Sequence, residues 1–196
     1  MPENRLIKNR IWMVGLIIIV SGISAGLLTA INLGTRDRIA LNEEIKLKRS
    51  VLNVFDIDYS EGDVIDIFNK RIEASRIGAR PVYEYRDMEK ISGVAFEMKG
   101  SGFWGPIYAL VALEPDLTAI KGIEILHQEE TPGLGGRITE DEFKDQFKGK
   151  PVDPEISIDA ITGATMTSKA FKKMINENVR SFKADYSKYR RTISSE

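Results

Sequence analysis

The hydrophobic pattern begins with a long uninterrupted block. Residues 11–35 carry no charge, and their core, 11–33, is dominated by Ile, Leu, Val, Gly and Ala between Arg10 and Arg36. At about 1.5 Å per residue such a run crosses a hydrocarbon layer of about 30 Å. A cleaved signal peptide has a shorter apolar stretch, about 7–15 residues, that ends at a small-x-small site. Ser24-Ala25-Gly26 imitates such a site, but apolar sequence continues past it. The pattern predicts an uncleaved transmembrane helix over 11–33. Beyond it, Ile39, Ile45, Leu52 and Phe55 form a loose stripe opposite Glu43, Glu44, Lys46, Lys48 and Arg49. That spacing predicts a helical stalk over 34–60, broken near Ser60-Glu61-Gly62.

The period then shortens towards two. Val82–Arg86, Ile91–Met98, Ile107–Leu113 and Ile120–Leu126 read as strands, with a turn at Glu114-Pro115-Asp116-Leu117. Thr139-Glu140-Asp141-Glu142 reads as a capping box opening a short helix through Phe147. A further strand is expected at 156–158. A last helix is expected from Thr167 or Ser168, with Phe171, Met174, Ile175, Asn178, Val179 and Phe182 on its buried face. The expected class is α+β: an antiparallel sheet with flanking helices, preceded by one N-terminal transmembrane helix. The expected divisions are a tail at 1–10, the span at 11–33, the stalk at 34–60, a folded domain at 61–184 and a C-terminal tail at 185–196.

Charge adds orientation and exclusions. Arg5, Lys8 and Arg10 precede the apolar block, and Arg36 and Arg38 follow it. This bias favours a cytoplasmic N-terminus, with residues 34–196 outside the cytoplasm. The 196 residues include 28 Lys and Arg against 29 Asp and Glu, a net charge of −1, which argues against a nucleic-acid partner. No cysteine is present, so disulfides, thiolate metal sites and cysteine nucleophiles are excluded. His127 is the single histidine, which leaves no multi-histidine metal centre. Residues 169–191 hold eight basic and two acidic side chains, whereas 34–168 hold 17 basic and 25 acidic. A docking face for an acidic partner or anionic lipid competes here with a solvated helix face whose cations suit the C-terminal dipole, and the second is the simpler reading.

Two segments carry candidate chemistry. In Asp159-Ala160-Ile161-Thr162-Gly163-Ala164-Thr165-Met166-Thr167-Ser168, small residues permit close approach to the backbone and four hydroxyls flank a helix start. The unpaired amides of such a start suit a phosphate, and the hydroxyls of Thr162 and Thr167 can add hydrogen bonds. An ordinary Ser/Thr-rich N-cap explains the same residues, and on the residues alone it is slightly the better reading. The GxxxxGK[ST] phosphate loop is absent. The second segment is His127-Gln128-Glu129-Glu130-Thr131-Pro132-Gly133-Leu134-Gly135-Gly136. Pro132 fixes one φ and the glycines allow sharp turns, giving a stiff loop with an exposed Leu134. A structural β-to-α turn is the alternative. His127 and Glu129 suggest acid–base chemistry, but no GxSxG nucleophile motif accompanies them.

The first segment resembles the flavinylation signature Asp-x-x-(Ser/Thr)-Gly-Ala-Thr of FMN-binding domains. The resemblance extends to the Glu130–Gly136 loop, to Phe103–Leu110 and to Phe147–Lys150. The order of anchor, acidic loop and GATxTS is similar to the G-type flavin subunit of the Rnf electron-transport complex and to its relative, the C-type flavin subunit of the sodium-translocating NADH:quinone oxidoreductase. The short spacing from Lys150 to Asp159 leans towards the Rnf type. The resemblance implies FMN joined by a phosphoester to Thr165, installed by a flavin transferase that uses FAD and recognises the region of Asp159. It also implies a cofactor site of Thr162, Gly163, Ala164, Thr165 and Thr167, with Glu130, Thr131, Leu134 and Gly135 against the flavin ring system. Trp104, with Phe103, would add an aromatic wall. The implied function is electron relay within an ion-translocating NADH/ferredoxin oxidoreductase of the inner membrane, among partner subunits bearing other flavins and iron–sulfur centres. The quinone-reductase counterpart and a non-redox, membrane-tethered assembly module are the competing readings.

Overall fold

A computed structural model describes residues 3–88 and 90–193, with the side chains of residues 10, 12–88 and 90–192. The chain divides into two compact units, Met1–Glu44 and Ile45–Glu196. Helix α1 (Glu3–Val54) runs through the whole uncharged block of the first unit, and its last residues, from Ile45, belong to the second. It is long and apolar enough to cross a membrane, and its Trp12, Ile17, Ile23 and Leu28 side chains are exposed along the expected span. The hydroxyls of Thr29 and Thr35 donate to the carbonyls of Ala25 and Ile31, each at 2.8 Å, so neither carries an unmet donor into an apolar surrounding. Residues 1–2 of the expected N-terminal tail, residues 194–196 of the expected C-terminal tail and the side chains of Arg5 and Lys8 lie outside the described residues.

The second unit is built on a five-stranded antiparallel meander in the order β1-β2-β3-β4-β5. The strands are β1 (Ile72–Ile77), β2 (Arg80–Asp87), β3 (Lys90–Ser101), β4 (Pro106–Leu113) and β5 (Ile120–Gln128). Alternation along them sorts side chains to two covered faces. Val82, Val94, Phe96, Met98, Ile107, Ala109 and Val111 meet the C-terminal helix α4 (Thr165–Ile193) and the segment 138–147. Tyr83, Ala95, Leu110 and Ala112 meet the last turns of α1 and helix α2 (Val64–Arg71) through Val51, Leu52, Phe55, Val64 and Phe68. Burial on both faces explains why β4 reads as an unbroken apolar run. Residues 45–54 therefore form part of this core. Their approach depends on Gly122, where a Cβ would collide with the Val54 carbonyl.

Helix α4 is longer than expected. It begins at Thr165 and continues to Ile193, so the described part of 185–196 is helical. It is fastened at two levels. Phe182 stacks on Phe96 with ring centroids 4.0 Å apart and planes at 15°. One turn on, the Tyr186 hydroxyl donates to the buried Glu84 carboxylate at 2.7 Å. Burial, reinforced by that hydrogen bond, pushes the Tyr186 phenol well above its ordinary value. Below about pH 10 folded and unfolded chains both keep this proton, whereas above it the unfolded chain releases the proton and the folded chain retains it. Stability should therefore fall as pH rises beyond about 10. Thermal midpoints from about pH 8 to about pH 11 should decline less steeply in Tyr186→Phe than in the parent protein; equal slopes would rule out this linkage.

Two local expectations are corrected. Residues 156–158 form no strand, because the Asn176 side chain replaces a neighbouring strand: it accepts from the Ile156 N–H at 2.8 Å and donates to the Ile156 carbonyl at 3.0 Å. The capping box at Thr139 is not made either. Thr139 lies in the 3-10 turn Gly135–Thr139 and donates to the Gly136 carbonyl at 2.9 Å. The short helix α3 (Asp141–Lys144) starts after Glu140 without a side-chain cap and passes into a 3-10 turn through Phe147.

Candidate functional site

Three loops meet at the N-terminal end of α4. The first is 102–105 between β3 and β4, the second follows β5 at 129–136, and the third is 159–164, leading into the helix. Glu130, in the second loop, links the first loop to the first turn of α4. Its carboxylate is 5% exposed; Oε1 accepts the Trp104 backbone N–H at 2.9 Å, and Oε2 accepts the Thr167 hydroxyl at 2.6 Å. Its own backbone N–H is held by Gln128 Oε1 at 2.6 Å. The carboxylate sits this closely only because two positions lack side chains. A Cβ on Gly102 would collide with Oε1, and one on Gly135 would lie 2.6 Å from both Oε2 and the Thr167 Oγ1.

Burial favours the neutral form of Glu130, but hydrogen bonds from the Thr167 hydroxyl and the Trp104, Gly105 and Phe103 amides outweigh it and hold the carboxyl below its usual value. A glutamate free in the unfolded chain titrates near about 4.3. A lowered native value adds stability above that pH, and the contribution is lost as pH falls through the native value. Acid titration followed by tryptophan fluorescence should show a shallower loss of stability below about pH 4 in Glu130→Gln than in the parent protein. An identical acid limb would exclude a charged Glu130.

The remaining candidates separate by burial. Thr162, Gly163 and Thr165 are exposed, while Ala164, Thr167 and Ser168 are buried. The Thr167 hydroxyl is 2% exposed and committed to Glu130, so it is not offered to a surface phosphate. Ser168 is committed as well: its Oγ accepts the Ile161 N–H and donates to the Ala164 carbonyl, both at 3.0 Å. The Ser168 N–H makes the bond to the Ala164 carbonyl that starts the helical ladder, at 3.0 Å. The amides of Thr165, Met166 and Thr167 stand ahead of it without helical partners. Thr165 is thus an exposed hydroxyl on the first residue of a 29-residue helix, beside three free amides and the positive end of its dipole.

The loop around Pro132 lies next to this helix start. Gly163 has φ +81, and a Cβ there would come 3.3 Å from Leu134 Cδ2. The Thr131 carbonyl accepts from the Leu134 and Gly136 amides at 3.1 and 3.0 Å, which curls the loop and leaves Leu134 47% exposed. Phe103 and Trp104 are not core residues. They are exposed, Trp104 at 71%, and meet edge-to-face at 5.3 Å. With Met166 on the first turn of α4, they make the three meeting loops and the helix start rich in exposed apolar side chains. Met166, Gln128 and Ser168 lie within the two segments singled out in the sequence but were given no individual role there, and Gly102 lies outside both; the Gly-Phe-Trp-Gly string at 102–105 was the available signal for it.

Asp159 is exposed, and its backbone N–H donates to Gln146 Oε1 at 2.8 Å. It lines a cleft of about 330 Å³ with Arg137, Glu140, Gln146 and Thr162. His127 and Glu129 form an exposed pair at 3.4 Å, with no hydroxyl nucleophile between them. No group of three or more metal-ligating side chains occurs among the described residues.

Residues 102–180 match the family model of the FMN-binding domain. The matched segment contains all three loops. The chain is also similar to NqrC proteins, which are subunits of the Na(+)-translocating NADH-quinone reductase. It is 33% identical to that subunit of Vibrio alginolyticus over 126 residues, 55% of this chain and 47% of the relative. It is 36% identical to that of Neisseria meningitidis serogroup B over 97 residues, 41% of this chain and 38% of the relative. The aligned part spans less than half the length of these curated relatives. The fold is that of the crystal structure of Shewanella oneidensis NqrC, with a TM-score of 0.68 at 22% identity, covering 76% of this chain and 99% of that one. The corresponding protein from Parabacteroides distasonis gives 0.66 at 22% identity, covering 76% and 96%.

Proposed function

We propose that this chain is a membrane-anchored flavoprotein subunit that carries FMN on Thr165 and relays electrons within an ion-translocating oxidoreductase complex. One observation carries the reading: an exposed Thr165 hydroxyl with free amides beside it, next to exposed Leu134 and Trp104, inside a segment that matches the FMN-binding domain. The residues fit the group. The Thr165, Met166 and Thr167 amides can hold phosphate oxygens, the side-chain-free Gly163 admits a close ligand, and the apolar side chains suit a flat ring. Bound FMN supplies the one- and two-electron chemistry; the protein anchors it, orients it and limits its contact with water.

In the attachment step, Thr165 Oγ forms a bond to the FMN phosphorus of FAD. The phosphoanhydride bond to the adenylate breaks, AMP leaves with the bridging oxygen, and the hydroxyl proton passes to a base. A flavin transferase provides the catalysis. A covalent link also keeps the flavin at high local concentration near its electron partners. In this reading the anchor sits in the inner membrane, with the N-terminus in the cytoplasm and the flavin domain outside. Residues 11–35 contain no carboxylate, so the ion path belongs to partner subunits.

The test is production with and without the flavin transferase, followed by denaturing electrophoresis under ultraviolet light and intact mass. A fluorescent band with the added mass of FMN supports the reading. An unmodified, colourless protein in the presence of active transferase refutes it. The Rnf type remains our reading from the short Lys150–Asp159 spacing, whereas the curated relatives are quinone-reductase subunits. A purified complex that reduces quinone from NADH and ignores ferredoxin would overturn the Rnf type alone.

A further inference from the structure

We infer that Glu130 is a positioning residue for flavin attachment: its buried carboxylate ties the first turn of α4 to the aromatic loop at 102–105 and so fixes where Thr165 is presented. This rests on the reading of Thr165 as the attachment point. Glu130 reaches neither the surface nor a cation among the described residues. Its oxygens are taken by the Thr167 hydroxyl and the Trp104 amide. A buried charge of this kind costs stability unless donors surround it, and here the donors are drawn from segments 26 and 37 residues away in the chain. Gly102 and Gly135 make room for it. The arrangement leaves the amides of Thr165, Met166 and Thr167 untouched, because Glu130 binds the Thr167 side chain instead of capping the backbone.

The consequence is geometric. Formation of the Thr165 Oγ–phosphorus bond, with departure of AMP, needs the hydroxyl within a narrow range of position, and an error of about 1 Å costs on the order of 100-fold in rate. Without the Glu130 acceptor, the Thr167 hydroxyl is free to bond back to the carbonyl four residues earlier and bend the first turn. Trp104 would lose its tether at the same time.

The test uses the full chain, purified without flavin and incubated with flavin transferase and FAD, with adduct formation timed by intact mass. Glu130→Ala and Thr167→Val should each slow attachment at least about tenfold, while Thr167→Ser, which restores the hydroxyl, should stay within about threefold of the parent. Tyr186→Phe is the control: it too removes a hydroxyl from α4 to a buried carboxylate, at the far end of the helix, and it should react at the parental rate. Glu130→Ala is included only if its far-ultraviolet circular dichroism is native; Thr167→Val, which keeps shape and burial, tests the inference by itself. Parental rates in Thr167→Val would overturn the positioning role and leave the flavoprotein reading standing. Equal slowing in Tyr186→Phe would overturn it too, by making the effect one of general stability. A parent protein that takes up no flavin would instead remove the reading on which the inference rests.

Discussion

Thr165→Ala should carry no covalent flavin at all, while Thr162→Ala still carries it. Four hydroxyls lie in this segment, and burial separates them. Those of Thr167 and Ser168 are enclosed and already bonded. Thr162 and Thr165 are both exposed, but only Thr165 belongs to the helix, where free amides and the dipole stabilise a phosphate ester. The Thr165 side chain makes no hydrogen bond among the described residues, so its loss removes no hydrogen bond from the fold. Alanine is also the better helix former, by up to about 0.7 kcal/mol. The thermal midpoint of the flavin-free protein should thus stay level or rise slightly. Intact mass and in-gel fluorescence after co-production with the transferase check the first outcome, and a melting curve of flavin-free protein checks the second. Flavin remaining on Thr165→Ala would move the attachment point elsewhere.

How much of this was legible depended on the distance over which each feature is specified. The strands β2 to β5 were readable because alternation and apolar runs are local consequences of a sheet covered on both faces. Strand β1 was not: Ile72-Glu73-Ala74-Ser75-Arg76-Ile77 is an edge strand with only Ile72 buried, and its composition resembles a loop. Helix α2 was missed because eight residues with two buried side chains give too short a period to recognise. Residues 156–158 have strand composition, yet Asn176 supplies the hydrogen bonds a neighbouring strand would have given. At the site, the exposed Thr165 and the bent loop at Pro132 follow from short motifs. The role of Glu130 does not. The family resemblance placed it beside the flavin, but its partners, the Trp104 amide and the Thr167 hydroxyl, come from another loop and from the first turn of α4, which only the tertiary fold brings close. Trp104 shows the same limit in reverse: aromatic rings are usually buried, and this one is held at the surface by its own backbone amide.

Phe182→Ala should give the largest loss of stability in the second unit and leave flavin attachment intact below its melting temperature. The ring is fully buried, stacks on Phe96 and meets Tyr186 at 5.3 Å, so its removal leaves a cavity between α4 and the centre of the sheet. Such truncations cost about 3–5 kcal/mol. For a domain of this size each kcal/mol shifts the midpoint by about 2–4 °C, so a fall of about 10 °C is expected. Phe182→Leu, which refills part of the space, should lose less. Attachment should persist because the first turn of α4 is held independently, by Glu130 on Thr167 and by the Ile161 amide on Ser168. Calorimetry of the full chain in detergent measures the first effect. Adduct mass at about 20 °C, well below the melting range of mesophile domains, measures the second. If Phe182→Ala failed to accept flavin while its far-ultraviolet signal remained native, the helix start would depend on the packing of the distal helix, and the local frame around Glu130 would not suffice to hold Thr165 in place.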